Sequence, residues 1–392
     1  MSDDEKTRDC ASLPATGATA ARYIMIGGFL GAGKTTAVAR LAESLHARGL
    51  RVGLITNDQG SGLVDTAVLR ARGFATEEIP GGCFCCRFNS LVDAAGKLTA
   101  ATRPDVFIAE PVGSCTDLVA TVTYPLRRIY GDRFKIAPLS VLLDPQRALR
   151  VFGLGAGEGR AFSEKVLYIY RKQLEEADLI VINKSDSVAA ADLALLREAL
   201  GREFPHAEVL TVSARTGDGL DAWFARLVAD EQVARRAMQV DYEIYADGEA
   251  LLGWLNATVQ CDAQGEFDAN AVLERLARDI QARLREPAHG GEVAHLKMTF
   301  SPAGGLNDIA AINLVRSDFV PELSIRLDQP VAGGQLILNL RAEAAPESLK
   351  TAVEESVAAL AAHFPGLRAR VDHLEHFRPG KPQPTHRLLS PT

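Results

Sequence analysis

The amino-acid sequence predicts an α/β domain with a mainly parallel sheet, joined to a smaller α+β domain. From Tyr23 to about Val228, short apolar runs alternate with glycine-containing loops and segments of helical periodicity. A glycine-rich segment, 28–35, lies between the first apolar run and the first helical segment. After Ala250 the order becomes strand, helix, several strands, helix and strand. That order indicates a two-layer, ferredoxin-like arrangement.

Short apolar runs mark the expected strands of the first part. They lie at Tyr23–Gly28, Val52–Thr56, Asp105–Ala109, Ile136–Leu143, Leu179–Ile182 and Val209–Val212. Between the first two, Thr35–Arg48 carries apolar residues at helical spacing and ends before Gly49. Strands that alternate with helices predict a parallel sheet covered on both faces.

The second part is predicted from the same kinds of pattern. Expected strands lie at Leu251–Gln260, Val293–Phe300, Ile309–Val315, Gln335–Leu340 and Ala369–His373, and helices at Ala271–Arg285 and Glu347–His363. We therefore expect a flexible tail at 1–22, a first domain at 23–230, a charged linker at 231–247, a second domain at 248–378 and an extended, proline-containing tail at 379–392.

Composition excludes several classes of protein. The 392 residues include 43 basic and 50 acidic side chains, a net charge of −7, which argues against nucleic acid or an anionic membrane as the main partner. No apolar run approaches the roughly 18 residues of a membrane span. The first 22 residues lack the apolar centre of a signal peptide. We expect a cytoplasmic protein.

The segment Gly28–Thr35 matches the Walker A pattern, in the strand–loop–helix context that the pattern requires. Backbone N–H groups of such a loop bind phosphate oxygens, Lys34 would reach the β- and γ-phosphates, and the Thr35 hydroxyl would ligate Mg²⁺. We expect Lys34 on a solvent-facing loop. The predicted phosphate-binding residues are Gly28, Gly31, Ala32, Gly33, Lys34, Thr35 and Thr36. The alternative is a glycine-rich turn that binds nothing.

The sequence Asn183-Lys184-Ser185-Asp186 follows a predicted strand and indicates guanine recognition. A carboxylate there accepts hydrogen bonds from two donors of guanine that adenine lacks, so the wrong base would leave it unpaired. Ser213 and Ala214 form a further loop that offers a backbone N–H to the base. The alternative for Asp186 is an N-cap of the following helix.

Glu110-Pro111-Val112-Gly113 follows another predicted strand, where P-loop enzymes place an acidic partner of Mg²⁺. Glu110 and Thr35 are therefore the predicted magnesium residues. The alternative is a plain turn containing Pro and Gly.

Three of the six cysteines, Cys83, Cys85 and Cys86, lie within four residues. Thiolates this close can bind Zn²⁺ or a similar ion such as Co²⁺ and leave a position for a fourth ligand. Buried structural cysteine and a redox pair of Cys83 and Cys86 are the alternatives. Cys115 is a candidate fourth ligand, and His373 and His376 are weaker metal candidates.

Five motifs in this order resemble the CobW-like family of P-loop GTPases. They are Gly28–Thr35, Asn57-Asp58-Gln59-Gly60 with Asp65, Gly82–Cys86, Glu110–Gly113 and Asn183–Asp186. The resemblance implies that the cysteines bind metal, that Glu110 marks the magnesium region and that an α+β domain follows. The predicted catalytic residues are Lys34, Asp58 and Glu110. Asp58 stands where the family commonly has Glu, and a long His-rich stretch is absent.

Two functions follow as hypotheses. The first is a GTP- and Mg²⁺-dependent enzyme that gates delivery of zinc or cobalt to a client metalloprotein or cofactor-dependent enzyme. The second is a slow GTP-dependent switch, or a corrinoid-cofactor assembly factor, that acts by binding a partner. A small-molecule kinase is a third hypothesis, which Asp186 argues against. The sequence leaves open a homodimer.

Overall fold

The computed structural model describes residues 20–57, 64–155, 162–286, 291–304 and 308–390. Predicted catalytic residue Asp58 and the tail residue Cys10 lie outside these ranges. In the described ranges, no helix combines the length and apolar character needed to cross a bilayer.

The first sheet is parallel, with strand order β3-β2-β4-β1-β6-β7-β8 and β5 paired to β1. Its strands are β1 (Ala21–Gly28), β2 (Val52–Asn57), β3 (Ala75–Ile79), β4 (Val106–Glu110), β5 (Phe134–Ile136), β6 (Ser140–Leu143), β7 (Leu179–Ile182) and β8 (Glu208–Thr211). The predicted parallel α/β fold is confirmed.

Helices cover both faces of this sheet, since alternate β1 residues belong to separate apolar clusters: Tyr23 and Met25 to one, Ile24 and Ile26 to the other. The helices are α1 (Lys34–Ala47), α2 (Val64–Ala71), α3 (Phe88–Thr102), α4 (Tyr124–Tyr130), α5 (Pro145–Val151), α6 (Glu164–Glu176), α7 (Ala190–Glu203) and α8 (Leu220–Ala229). Because the strands are parallel, the loops that follow β1, β2 and β4 lie at the same edge of the sheet.

The segment predicted as a linker contains a helix, α9 (Tyr242–Leu251), and strand β9 begins only at Gly253. Helix α9 packs on α6 so closely that a Cβ at Gly248 would lie 2.4 Å from the Lys165 carbonyl oxygen. Its buried residues are Tyr245, Gly248 and Glu249. Because this buried side is not an apolar stripe, periodicity did not reveal the helix.

The second sheet is antiparallel, with order β12-β11-β10-β13-β9-β14. Its strands are β9 (Gly253–Phe267), β10 (Glu292–Pro302), β11 (Ala310–Leu314), β12 (Glu322–Ile325), β13 (Val331–Glu343) and β14 (Leu367–Phe377), with helices α10 (Ala269–Arg285) and α11 (Pro346–His363). The order β10-β13-β9-β14 with two helices is the predicted ferredoxin-like core. The hairpin β11–β12 extends it.

The two faces of the second sheet differ in polarity. Leu296, Met298 and Leu338 belong to the apolar core formed with α10 and α11. Because side chains alternate along a strand, Lys297 and Asn339 lie on the opposite face. That face contacts the first domain, since β10 and β13 both touch α2.

Candidate functional site

The glycine-rich loop between β1 and α1 is folded against its neighbours. Gly33 has φ +88°, and a Cβ there would lie 2.5 Å from Asn183 Nδ2, so a larger residue would be strained. The Lys34 ammonium donates to the carbonyl oxygens of Gly28 at 2.8 Å and Phe29 at 3.4 Å. Lys34 is 8% exposed, so the expectation of a solvent-facing loop is wrong. The second domain covers this side, as described below.

Asn183 and Lys184 hold the loop from the side of β7. Asn183 Nδ2 donates to the Ala32 carbonyl at 2.9 Å, and its Oδ1 accepts from the Ala214 N–H at 3.0 Å. Lys184 Nζ donates to the Gly31 carbonyl at 2.7 Å and to Asp144 at 2.9 Å. Asp144 also caps α5, so it is more than the turn residue that its position before Pro145 suggests.

Asp186 lies at the end of the cavity beside Ser213. Its carboxylate accepts from the Ser213 hydroxyl at 2.6 Å and pairs with Arg215. Burial opposes its ionisation, but the bonds from Ser213 and Arg215 outweigh this effect and keep the pKa of Asp186 below its ordinary value. Asp186 does not cap the following helix, whose N-cap is Ala189.

Three oxygen-bearing side chains converge where Mg²⁺ would bind. The Thr35 hydroxyl lies 2.7 Å from Asp65 Oδ1 and 2.9 Å from Glu110 Oε1. Burial, with the nearby Asp65 charge, raises the pKa of Glu110 to about 7. Glu110 Oε2 is buried and has no hydrogen-bond partner within the described ranges. Hard oxygen donors with one unsatisfied carboxylate oxygen fit a magnesium ion.

A cavity of about 620 Å³ joins these groups, and both domains line it. The first domain contributes the glycine-rich loop, Glu110 and Asp186, and the second contributes residues of β10, β11, β12 and β13. Lys297 of β10 pairs with Asp65 at 2.6 Å. Sequence reasoning missed Lys297, because nothing near it in the sequence carries a nucleotide-binding signal.

Arg147 fastens the glycine-rich loop to the second domain. Its guanidinium donates to the carbonyl oxygens of Leu30, Ala294 and Val315, of which only Leu30 belongs to the first domain. The same group lies 5.3 Å from the ring centroids of Phe29 and Phe162. Arg147 is 5% exposed. It was not among the predicted residues.

Cys83, Cys85 and Cys86 form the one cluster of at least three metal-ligating side chains found among the described residues. Their Sγ atoms are 2.7, 3.3 and 3.7 Å apart, and none forms a disulfide. With Zn–S bonds near 2.3 Å, tetrahedral geometry needs sulfur separations of about 3.8 Å. Modest spreading of the thiols would therefore admit a zinc or cobalt ion.

The candidate fourth ligand, Cys115, is fully buried beside this cluster. Hydrogen bonds from Cys115, Cys85 and Cys86 hold the pKa of Cys83 well below its ordinary value. Burial raises the pKa of Cys115. His373 and His376 lie on β14, opposite β9, outside the cluster.

The last described residues, 378–390, which we call the strap, cross the cysteine cluster. The Gln383 N–H donates to Cys86 Sγ at 3.2 Å, and the Thr385 N–H donates to the Cys85 carbonyl at 2.8 Å. Arg387 anchors the strap to Asp117 at 2.6 Å. The strap contains no helix or strand among its described residues.

Comparison with known proteins supports the nucleotide domain. The family described as "CobW/HypB/UreG, nucleotide-binding domain" matches residues 22–211. The zinc chaperone YeiR of Escherichia coli (strain K12) is 32% identical over 169 residues, which cover 42% of this chain and 47% of that protein. The zinc chaperone CobW of Sinorhizobium sp is 32% identical over 195 residues, covering 44% and 53%. The chain thus spans about half the length of these curated relatives.

Among solved structures, the Zn(II)-bound YjiA GTPase from E. coli aligns with a TM-score of 0.35 at 14% identity, covering 86% of this chain and 98% of that one.

Proposed function

Residues 22–211 belong to the CobW/HypB/UreG nucleotide-binding family, and from this premise we propose that the chain is a GTPase whose nucleotide state controls a metal ion held by Cys83, Cys85 and Cys86. Zinc or cobalt is the cargo in this proposal. Its recipient is a client metalloprotein or a cofactor-dependent enzyme.

In the proposed site, Lys34 binds the terminal phosphates and Asp186 selects guanine. Thr35, Asp65 and Glu110 would hold Mg²⁺, which when bound neutralises charge on the β- and γ-phosphates. Lys34 is buried, and a charge surrounded by protein acts more strongly on a bound phosphate than a charge at the surface.

One contact carries the proposed coupling. Asn57 lines the nucleotide cavity at the end of β2, and its Nδ2 donates to the carbonyl oxygens of Ile79 at 2.8 Å and Gly82 at 2.6 Å. Gly82 precedes Cys83 directly. A movement of the β2 end with the nucleotide would therefore be transmitted to the first thiol by a single side chain.

The deciding measurement is Zn²⁺ and Co²⁺ affinity by chelator competition, in GDP and in a non-hydrolysable GTP analogue. We expect the two states to differ by roughly 5- to 150-fold, a typical coupling. Asn57→Ala should abolish the difference while GTP still binds. Asn313→Ala is the matched control, because Asn313 lines the cavity but bonds to Ser324 on β12. Identical affinities in both states of the wild-type protein would reject the coupling.

A slow GTP-dependent switch is the second candidate function, favoured by the burial of Cys83 and Cys85. A permanently bound structural ion would suit that burial. GTP turnover with and without Zn²⁺ or Co²⁺ separates the two, with Lys34→Ala as the inactive control. Metal-stimulated turnover supports metal delivery, whereas slow turnover that ignores added metal supports the switch.

A further inference from the structure

The second domain places a cation in the magnesium region of the first. Lys297 Nζ lies 2.6 and 2.8 Å from the two carboxylate oxygens of Asp65 and 3.5 Å from Thr35 Oγ1. The Lys297 side chain is 19% exposed and that of Asp65 is 26% exposed. The ammonium thus contacts two of the three groups that would hold Mg²⁺.

The same sheet also holds the backbone of the helix that carries Asp65. The N–H of Val64, the first residue of α2, donates to Asn339 Oδ1 at 3.0 Å. Asn339 is fixed in turn by its bond to Asn256 Oδ1, also 3.0 Å long. The first two residues of α2 are therefore both bonded to the second domain, one through its backbone and one through its carboxylate.

We propose that Lys297 is a residue of the nucleotide site that competes with Mg²⁺ for Asp65 and Thr35, and that the two cations exchange on these side chains. The proposal rests on the GTPase assignment above. A lysine ammonium and a magnesium ion cannot share the same oxygens, because like charges this close repel strongly where water is scarce. Entry of Mg²⁺ with the nucleotide thus removes Lys297 from Asp65.

This exchange links the nucleotide to the second domain. While Lys297 holds Asp65, this ion pair ties α2 to β10; once Mg²⁺ takes Asp65, the ion pair is lost and the hydrogen bond from Val64 to Asn339 stays. By reciprocity, anything that pulls the second domain away from α2 strengthens Mg²⁺ binding, and anything that presses it on weakens Mg²⁺ binding. A client that grips the second domain would act through this route.

The test measures Mg²⁺ affinity in the full chain saturated with a fluorescent GDP analogue. Lys297→Gln and Lys297→Met remove the competing charge and should raise Mg²⁺ affinity by roughly 5- to 150-fold. Lys297→Arg keeps the charge and should stay close to wild type. Lys135→Gln, at an exposed position on β5, is the matched surface control. Near-UV circular dichroism checks that each variant is folded. If one of the two neutral variants does not fold, the other still tests the proposal.

An unchanged or lowered Mg²⁺ affinity in the neutral variants would overturn the proposed cation exchange. A lowered affinity would mean that Lys297 supports Mg²⁺ binding to the nucleotide complex instead of competing with it. A rise of the same size in Lys135→Gln would also overturn it, by showing a general charge effect. Failure of the wild-type protein to bind GDP would reject the GTPase assignment along with this inference. Normal GDP binding without the expected rise rejects the inference alone.

Discussion

At the scale of single residues, we propose that the Asp186 carboxylate selects the base. Ser213 and Arg215 hold this group ionised at the end of the cavity. Asp186→Asn should weaken GTP binding by roughly 10- to 150-fold, the value of a hydrogen bond to a charged group. It should also improve binding of xanthosine triphosphate, whose base reverses the donor pattern. Competition binding with GTP, ATP and XTP measures both effects.

Asp218→Asn is the matched control for this substitution. Asp218 is an exposed carboxylate in the loop after β8 and bonds to Thr216. Its replacement should leave base preference unchanged. Equal affinity of the wild-type protein for ATP and GTP would contradict the role of Asp186 and revive the small-molecule kinase.

If Glu110 binds Mg²⁺ as proposed, its raised pKa should make Mg²⁺ binding depend on pH. Burial raises the pKa of its carboxyl to about 7 in the metal-free protein, so below that pH a proton must leave before Mg²⁺ can bind. We expect Mg²⁺ affinity of the GDP complex to fall between pH 7.5 and 5.5 by up to about tenfold per pH unit below pH 7. Glu110→Gln should bind Mg²⁺ more weakly and without this slope.

Two neighbours do not account for such a slope. The pKa of Lys34 is lowered by burial only to about 8, above the tested range, and that of Asp65 lies below its ordinary value. The raised pKa of Glu110 also affects the free energy of unfolding. The stability that the protonated Glu110 carboxyl contributes is fully present below pH about 4.5, and it is lost as the pH rises through about 7. A steep slope that persists in Glu110→Gln would assign the proton to another group.

At the scale of elements, the strap lies across Cys85 and Cys86, and we expect it to restrict access to these thiols. Cys86 is half-buried, and the Gln383 N–H covers its sulfur. Removing residues 382–392 should raise the rate at which metal-free Cys86 reacts with a disulfide reagent by about tenfold or more, because exposure governs thiol reactivity. Stopped-flow absorbance with Ellman's reagent measures the rate.

Cys86→Ala in the shortened chain identifies the reacting thiol, since it should cancel the increase. Tryptophan fluorescence checks that the shortened chain is folded. If the rate is the same with and without residues 382–392, the strap does not restrict access to Cys86.

Elements were predictable where their own residues carry the signal. Strand Leu179–Ile182 is a continuous apolar run between two neighbouring strands, and its observed bounds are those predicted from the sequence. Strand β12, Glu322–Ile325, alternates exposed and half-buried residues at the sheet edge, so it lacks an apolar run. Helix α9 buries Tyr245 and Glu249, which accept hydrogen bonds from Thr116 and Ser114, and these contacts depend on tertiary structure.

At the scale of the whole molecule, Arg147 joins the two domains. It is buried, and its loss would leave three carbonyl oxygens, those of Leu30, Ala294 and Val315, without their donor. Arg147→Met should lower the free energy of unfolding by about 3 kcal/mol or more, because each buried carbonyl oxygen left without a donor costs about 1–3 kcal/mol. Urea denaturation followed by circular dichroism measures the change.

Arg150→Met serves as the control on the same helix. Arg150 pairs with Asp318, a half-exposed carboxylate, and such pairs contribute about 1 kcal/mol or less. Equal losses in the two variants would show that Arg147 has no special role in joining the domains.

As with the helices and strands, some residues of the candidate site could be predicted from the sequence and others could not. Walker A, Asn183–Asp186 and the three cysteines are contiguous motifs, so their residues could be proposed from the sequence. The contact of Lys297 with Thr35 joins residues 262 positions apart, and no short pattern encodes it. Which face of the second sheet meets the nucleotide domain follows from packing between domains, and this could not be predicted from either domain alone.

The position of the strap bears on how metal content is measured. An affinity tag fused after Thr392 would follow the strap, in which Gln383 and Thr385 contact the cysteine cluster. Imidazole is a good ligand for zinc and cobalt, so a polyhistidine tag there could add a ligand to the three cysteines and hold an ion that the cysteines alone would not hold. A tag placed before Ala21 would instead be joined to the start of β1, at the amino-terminal ends of the parallel strands. Stoichiometries from the two preparations would then separate the metal of the motif from the metal of the tag.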